Sequence, residues 1–98
     1  MDCNSYSYAP HMLDEKHFLY YGNADMYIEV DKDRAYDKII FWLYACSYDG
    51  QFEVAERIDD EKTARELFNY IKDNYSDTPP DNDELNSYVL SIINRAAI

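Results

Sequence analysis

Glycine is scarce in this chain: Gly22 and Gly50 are the only two among 98 residues. Loops that cradle phosphates need several glycines within a few positions, because backbone amides must approach the anion with no Cβ in the way. Mononucleotide and dinucleotide fingerprints are therefore excluded. Positive charge is the second scarcity. Nine Lys and Arg stand against twenty Asp and Glu, a net charge of −11. A chain without a basic face is not built for nucleic acid or for anionic membranes. Long apolar runs are missing too. No segment approaches the roughly 20 apolar residues of a membrane span, and the opening MDCNSYSYAPHML lacks a basic stretch followed by an apolar one. No membrane association is expected, and the expected location is the cytoplasm.

Metal and redox motifs are also lacking. Cys3 and Cys46 lie far apart, in neither a C-x-x-C nor a zinc spacing, and Cys46 inside an apolar run is expected to be a buried free thiol. His11 and His17 have no third ligand nearby to complete a tetrahedral set. Asp31, Asp33 and Asp37 resemble the start of a calcium loop, but Tyr36 stands where the sharp turn needs glycine and Trp42 where a bidentate Glu belongs. Neither a metal nor a cofactor is expected. Paired-carboxylate hydrolysis needs a substrate cleft, which a chain of this length seldom supplies. The expectation is a protein that is not an enzyme.

What remains is an apolar share of 47%, with aromatics at 16%, enough for a packed core despite the charge. The length suits one domain over residues 1–98, with residues 1–9, polar and without period, expected to be loose. From Pro10 to Tyr21 a short helix ending at Gly22 competes with a strand over 17–21 that turns at Gly22-Asn23, and the helix is preferred. Met26, Ile28 and Val30 alternate with Tyr27 and Glu29, the period of a strand with one buried face. The apolar run Ile39 to Cys46 is followed by Tyr48-Asp49-Gly50-Gln51, whose Asp-Gly pair suits a two-residue type I′ turn. Phe52, Val54 and Ile58 then share one face of a third strand, with Glu53, Ala55 and Arg57 on the other.

Asp59 or Asp60 can cap a helix carrying Ala64, Leu67, Phe68 and Ile71 at helical spacing, with Glu61 and Arg65 paired four residues apart, running to about Tyr75. Asp81 followed by Glu84 has the form of a capping box for a last helix striped with Leu85, Tyr88, Val89, Ile92 and Ile93. The expected fold is α+β: a three-stranded antiparallel meander, two C-terminal helices packed on it, and a short N-terminal helix.

That topology places the charge. Short antiparallel connections gather the loops at two ends. One end collects Asp31, Asp33, Asp37, Asp59, Asp60 and Glu61, but also Lys32, Arg34, Lys38 and Lys62, so it nearly neutralises itself. The other collects Asp25, Asp49, Asp73, Asp77, Asp81, Asp83 and Glu84 against Lys72 alone. Asp81, Asp83 and Glu84 suit a helix N-terminus, whereas Asp73 and Asp77 lie at a helix C-terminus, where the macrodipole disfavours a carboxylate. Tyr48 and Tyr75 flank this end, and tyrosine can stack on Arg or Lys while its hydroxyl stays wet. A cationic partner is the complement, although a solvated acidic loop has the same composition.

In element order and acidity over residues 24–96 the chain resembles small phage anti-CRISPR proteins, which mimic nucleic acid and occupy a basic site in an effector nuclease. The resemblance implies that Asp49, Gly50, Glu53 and the acids Asp73, Asp77, Asp81, Asp83 and Glu84, with Tyr75 among them, form the contact surface. Carboxylates stand in for phosphates because both accept charge-assisted hydrogen bonds from Arg. The expected function is thus non-enzymatic inhibition of a basic, nucleic-acid-handling protein of host defence. An immunity protein or antitoxin against a cationic nuclease follows from the same physics. An acidic assembly protein that self-associates through exposed aromatics is the alternative of another class.

Overall fold

The computed structural model describes residues 17–96. Pro10 to Lys16, and the expected loose segment 1–9, lie outside the described residues. Four strands come first: β1 (His17–Gly22), β2 (Met26–Ala35), β3 (Lys38–Ser47) and β4 (Glu53–Ile58). They form one antiparallel sheet in the order β1-β2-β3-β4. Two helices follow, α1 (Glu61–Tyr75) and α2 (Asn82–Ala96). The class is α+β with two C-terminal helices, as expected, but the sheet has four strands and not three.

The extra strand corrects the expectation of a helix over Pro10 to Tyr21. Residues 17–22 are β1, paired with β2 from Gly22 opposite Tyr27 to His17 opposite Asp31. The competing reading, a strand turning at Gly22-Asn23, describes these residues. Phe18, Leu19, Tyr20 and Tyr21 are β-favouring or bulky, and once β2 offers an open edge, ladder hydrogen bonds outweigh a weak helix start. A bulge between His17 and Leu19 leaves Phe18 unpaired in the register. Its ring meets Phe41 at 5.3 Å and lies under the Arg65 guanidinium at 4.7 Å.

The tight turn also moves. Asp49-Gly50 does not form a two-residue hairpin, because β3 ends at Ser47 and β4 starts at Glu53. Gly50 does adopt φ +82, but the loop is wider. It is closed by the buried Ser47, whose Oγ accepts from Phe52 N at 3.1 Å and whose O accepts from Gly50 N at 3.1 Å. The two-residue connection lies at Tyr36-Asp37, between β2 and β3, where Ala35 faces Lys38. Tyr36 takes φ +59 there, a conformation that favours glycine.

The core lies between the sheet and the helices. Ile28, Val30, Phe41, Leu43, Val54 and Ile58 meet Ala64, Leu67, Phe68, Ile71, Leu85, Val89 and Ile92, all buried. Both helix stripes fall where the 3.6-residue period put them. Asp60 caps α1, its carboxylate accepting from Thr63 N and Thr63 Oγ1, both at 2.9 Å. Arg65 Nε reaches Glu61 at 2.8 Å. Asp81 caps α2, accepting from Asp83 N at 2.9 Å and Glu84 N at 3.1 Å.

Cys46 is fully buried but is not a free thiol. It is disulfide-bonded, which corrects the sequence expectation. An apolar run records the burial of a cysteine but not a cross-link, because disulfide partners meet in space and not in sequence. Among the described residues, no helix is long and apolar enough to cross a membrane.

Candidate functional site

The connections β1–β2, β3–β4 and α1–α2 meet at one end of the molecule, and side chains hold them together. Asn23 is the main tie. Its Oδ1 accepts from Asp25 N at 2.8 Å and Met26 N at 3.0 Å, shaping the β1–β2 turn. Its Nδ2 donates across to Ser76 O at 2.8 Å, just beyond α1. Tyr48 N donates to Asp25 O at 2.9 Å and so joins the first turn to the second. Asn82, at the start of α2, accepts from Glu53 N at 3.0 Å, and Asn86 donates to Glu53 O at 3.0 Å. Two asparagines thus occupy the backbone groups of Glu53 at the start of the edge strand, where another strand would otherwise pair.

On this frame Asp25, Asp49, Asp73, Asp77, Asp81, Asp83 and Glu84 are all exposed. Gly50 is exposed at the loop tip, and Asp49 Oδ1 accepts from Gln51 N at 3.2 Å to shape it. Tyr75 is half-buried, its ring edge-on to Tyr70 at 5.9 Å, and Tyr70 stacks on Tyr88 at 4.1 Å. A hydrogen bond with Tyr70, aided by burial, pushes the Tyr75 hydroxyl up to about 12. Glu53 stands apart from the others. Its place opposite Cys46 in the register puts its side chain on the sheet face away from the helices, where its Oε2 is buried with no hydrogen-bond donor.

A cleft of about 330 Å³ opens where the three connections meet, lined by Ala24, Asp25, Ser47, Tyr48, Asp49 and Pro79. It has a tyrosine wall and carboxylates at its rim, the chemistry that receives a guanidinium or ammonium group. Among the described residues, no three His, Cys, Asp or Glu side chains converge as a metal site.

The opposite end differs. Asp59 accepts from Arg57 Nε at 3.1 Å and meets Lys38 Nζ at 3.4 Å. The Arg57 hydrogen bond holds the Asp59 carboxyl below its ordinary value. Charge at this end is spent within the molecule, as its composition implies.

Sequence reasoning missed two features. Asn23 reads in a sequence as one more turn residue, and only its reach to Ser76 makes it a tie. Glu29 reads as the polar partner of a strand alternation, yet it is 8% exposed. Burial pushes its carboxyl up to about 8, helped by a hydrogen bond to Asp31 and by that residue's charge. The signal was present, since carboxylates two apart on a strand share a face. Burial of that face was not legible. The same burial, with the charges of Asp31, Glu29 and Asp33, raises the Tyr44 hydroxyl. The chain matches no family model, no curated protein and no solved structure.

Proposed function

We propose that this protein is a non-enzymatic inhibitor that occupies the nucleic-acid site of a basic protein by presenting carboxylates in place of phosphates. The carrying observation is the exposed acidic end, where seven carboxylates on three tied connections and the helix turns beside them stand against a single lysine, Lys72. The connections are held by hydrogen bonds, so the charges are displayed on a frame and little ordering is required on binding. Asp73 strengthens the reading, because a carboxylate in the last turn of a helix opposes the macrodipole and has no structural reason to be there. The cleft beside Tyr48 is suited to an Arg or Lys side chain of the partner.

The anti-CRISPR assignment is one form of this function. The immunity-protein form has an observation of its own in its favour. Cys46 is disulfide-bonded, and such bonds persist in oxidising compartments and are rare in a reducing cytoplasm. A partner met there is more naturally a secreted cationic nuclease than an intracellular effector.

The reading is tested with purified basic nucleases and CRISPR effectors, by titration at two salt concentrations with and without competing nucleic acid. Binding should weaken steeply with salt and be displaced by nucleic acid. The triple variant Asp25→Lys, Asp73→Lys and Asp77→Lys should abolish binding while its circular dichroism stays native. Asp81 is left out because it caps α2. Binding that is insensitive to salt, or unaltered in the triple variant, rules the reading out.

A further inference from the structure

The cleft at the acidic end adjoins a second, smaller hollow of about 20 Å³, which shares Asp25, Ser47 and Pro79 with it and is floored by Met26, Phe52 and Tyr75. That inner space admits a single water and no side chain. A group entering from outside must therefore stop in the outer cleft, beside Tyr48, Asp25 and Asp49. Tyr48 is held in place there. Its amide donates to Asp25 O at 2.9 Å, the Tyr20 hydroxyl hydrogen-bonds to its side chain, and the Tyr27 ring backs its own at 6.0 Å. It is nevertheless 43% exposed, so a fixed aromatic surface is open to a ligand with little left to order on binding.

The acceptors around that ring are few. Asp25 O and Ser47 O are engaged by Tyr48 N and Gly50 N, which leaves the two carboxylates. Asp49 Oδ1 accepts from Gln51 N and its other oxygen is free. Among the described residues, no ion pair reaches Asp25 or Asp49.

These features separate the two common cations. A Lys ammonium is a compact, strongly hydrated charge whose three donors ask for acceptors on several sides. A guanidinium is flat and weakly hydrated, so it can lay its face on a tyrosine while its edge donates to carboxylates. We propose that the cleft is an arginine-selective pocket, which takes a guanidinium stacked on Tyr48 with its N–H groups donating to Asp25 and Asp49. The proposal rests on the reading of the acidic end as a binding surface and names the residue of the partner that this surface captures.

The test titrates the full chain, labelled with ¹⁵N, with N-acetylarginine methylamide and with the matched lysine and citrulline compounds, following amide shifts. The arginine compound should bind severalfold more tightly than the lysine one, and the neutral citrulline one should not bind. The shifts should centre on Ala24, Asp25, Tyr48 and Asp49 and leave the distant Tyr36-Asp37 turn unchanged. Tyr48→Leu should weaken binding severalfold and erase the preference, whereas Tyr48→Phe, which keeps the ring, should retain it. Equal binding of arginine and lysine, shifts spread over the whole acidic end, or no binding at all would overturn the pocket, and these outcomes need no variant to fold. The two readings fail separately. A basic nuclease held in a salt-dependent manner, but with the same affinity for Tyr48→Leu, would overturn the pocket and leave the acidic end standing. Arginine-selective shifts in a protein that holds no basic nuclease would uphold the pocket and remove the inhibitor reading.

Discussion

Glu29 carries the clearest pH dependence of any single side chain. Its carboxyl keeps a proton to about pH 8 in the folded chain, against an ordinary value of 4.5. Between these values the native state binds the extra proton, so the stability contribution is complete below pH 4.5 and is lost as the pH rises through 8. The melting temperature should therefore fall between pH 5 and pH 8, and Glu29→Gln should flatten that fall. Each kcal/mol corresponds to roughly 4–8 °C for a domain of this size, so thermal melts across the range resolve it. Tyr36 offers a second residue-scale test. A side chain held at φ +59 carries strain of about 1–2 kcal/mol that glycine avoids. With its ring in solvent and little packing to lose, Tyr36→Gly should stabilise the fold by about 1 kcal/mol in a denaturant titration.

At the scale of elements, the ends of helices decide more than their interiors. Removing the α1 cap with Asp60→Ala should destabilise by about 1 kcal/mol, read by chemical denaturation. Asp73 lies at the other end of that helix, where replacing a carboxylate by Lys should stabilise by about 0.3–1 kcal/mol. If the acidic end is a binding surface, Asp73→Lys raises stability and lowers affinity together. Parallel changes in both quantities would show that the residue serves the fold alone. Asn23→Ala removes two turn hydrogen bonds and the link to Ser76. A loss of about 1–2 kcal/mol is expected, with faster amide exchange in residues 76–79 than in the distant Tyr36-Asp37 turn.

The whole molecule is polarised in two ways. Charge is unbalanced at the end where three connections meet and compensated at the other, where Arg57, Lys38 and Arg65 engage Asp59 and Glu61. The sheet is likewise uneven, since its face away from the helices buries Tyr27, Glu29, Ile40 and Cys46 but leaves Asp33, Ala55 and Arg57 exposed. Added salt should therefore raise the stability of the free protein, by screening the acidic end, while weakening its hold on a basic partner.

Both helices, with their caps and buried stripes, were legible in the sequence because they rest on contacts three or four residues apart. The alternation of Met26 to Val30 was legible for the same reason, and so was the division of charge between the two ends, which follows from strand direction alone. Composition excluded phosphate loops and basic surfaces with no structure needed. The rest lay in distant partners. His17–Gly22 is a strand because the edge of β2 accepts it. The tight turn sits at Tyr36-Asp37, against the local preference at Asp49-Gly50, because ten paired residues of β2 and β3 set the register. Cys46 is bonded and Glu29 is buried, and neither fact is written in the residues beside them. Local periodicity reports which face of an element is apolar, and only tertiary structure decides what that face meets.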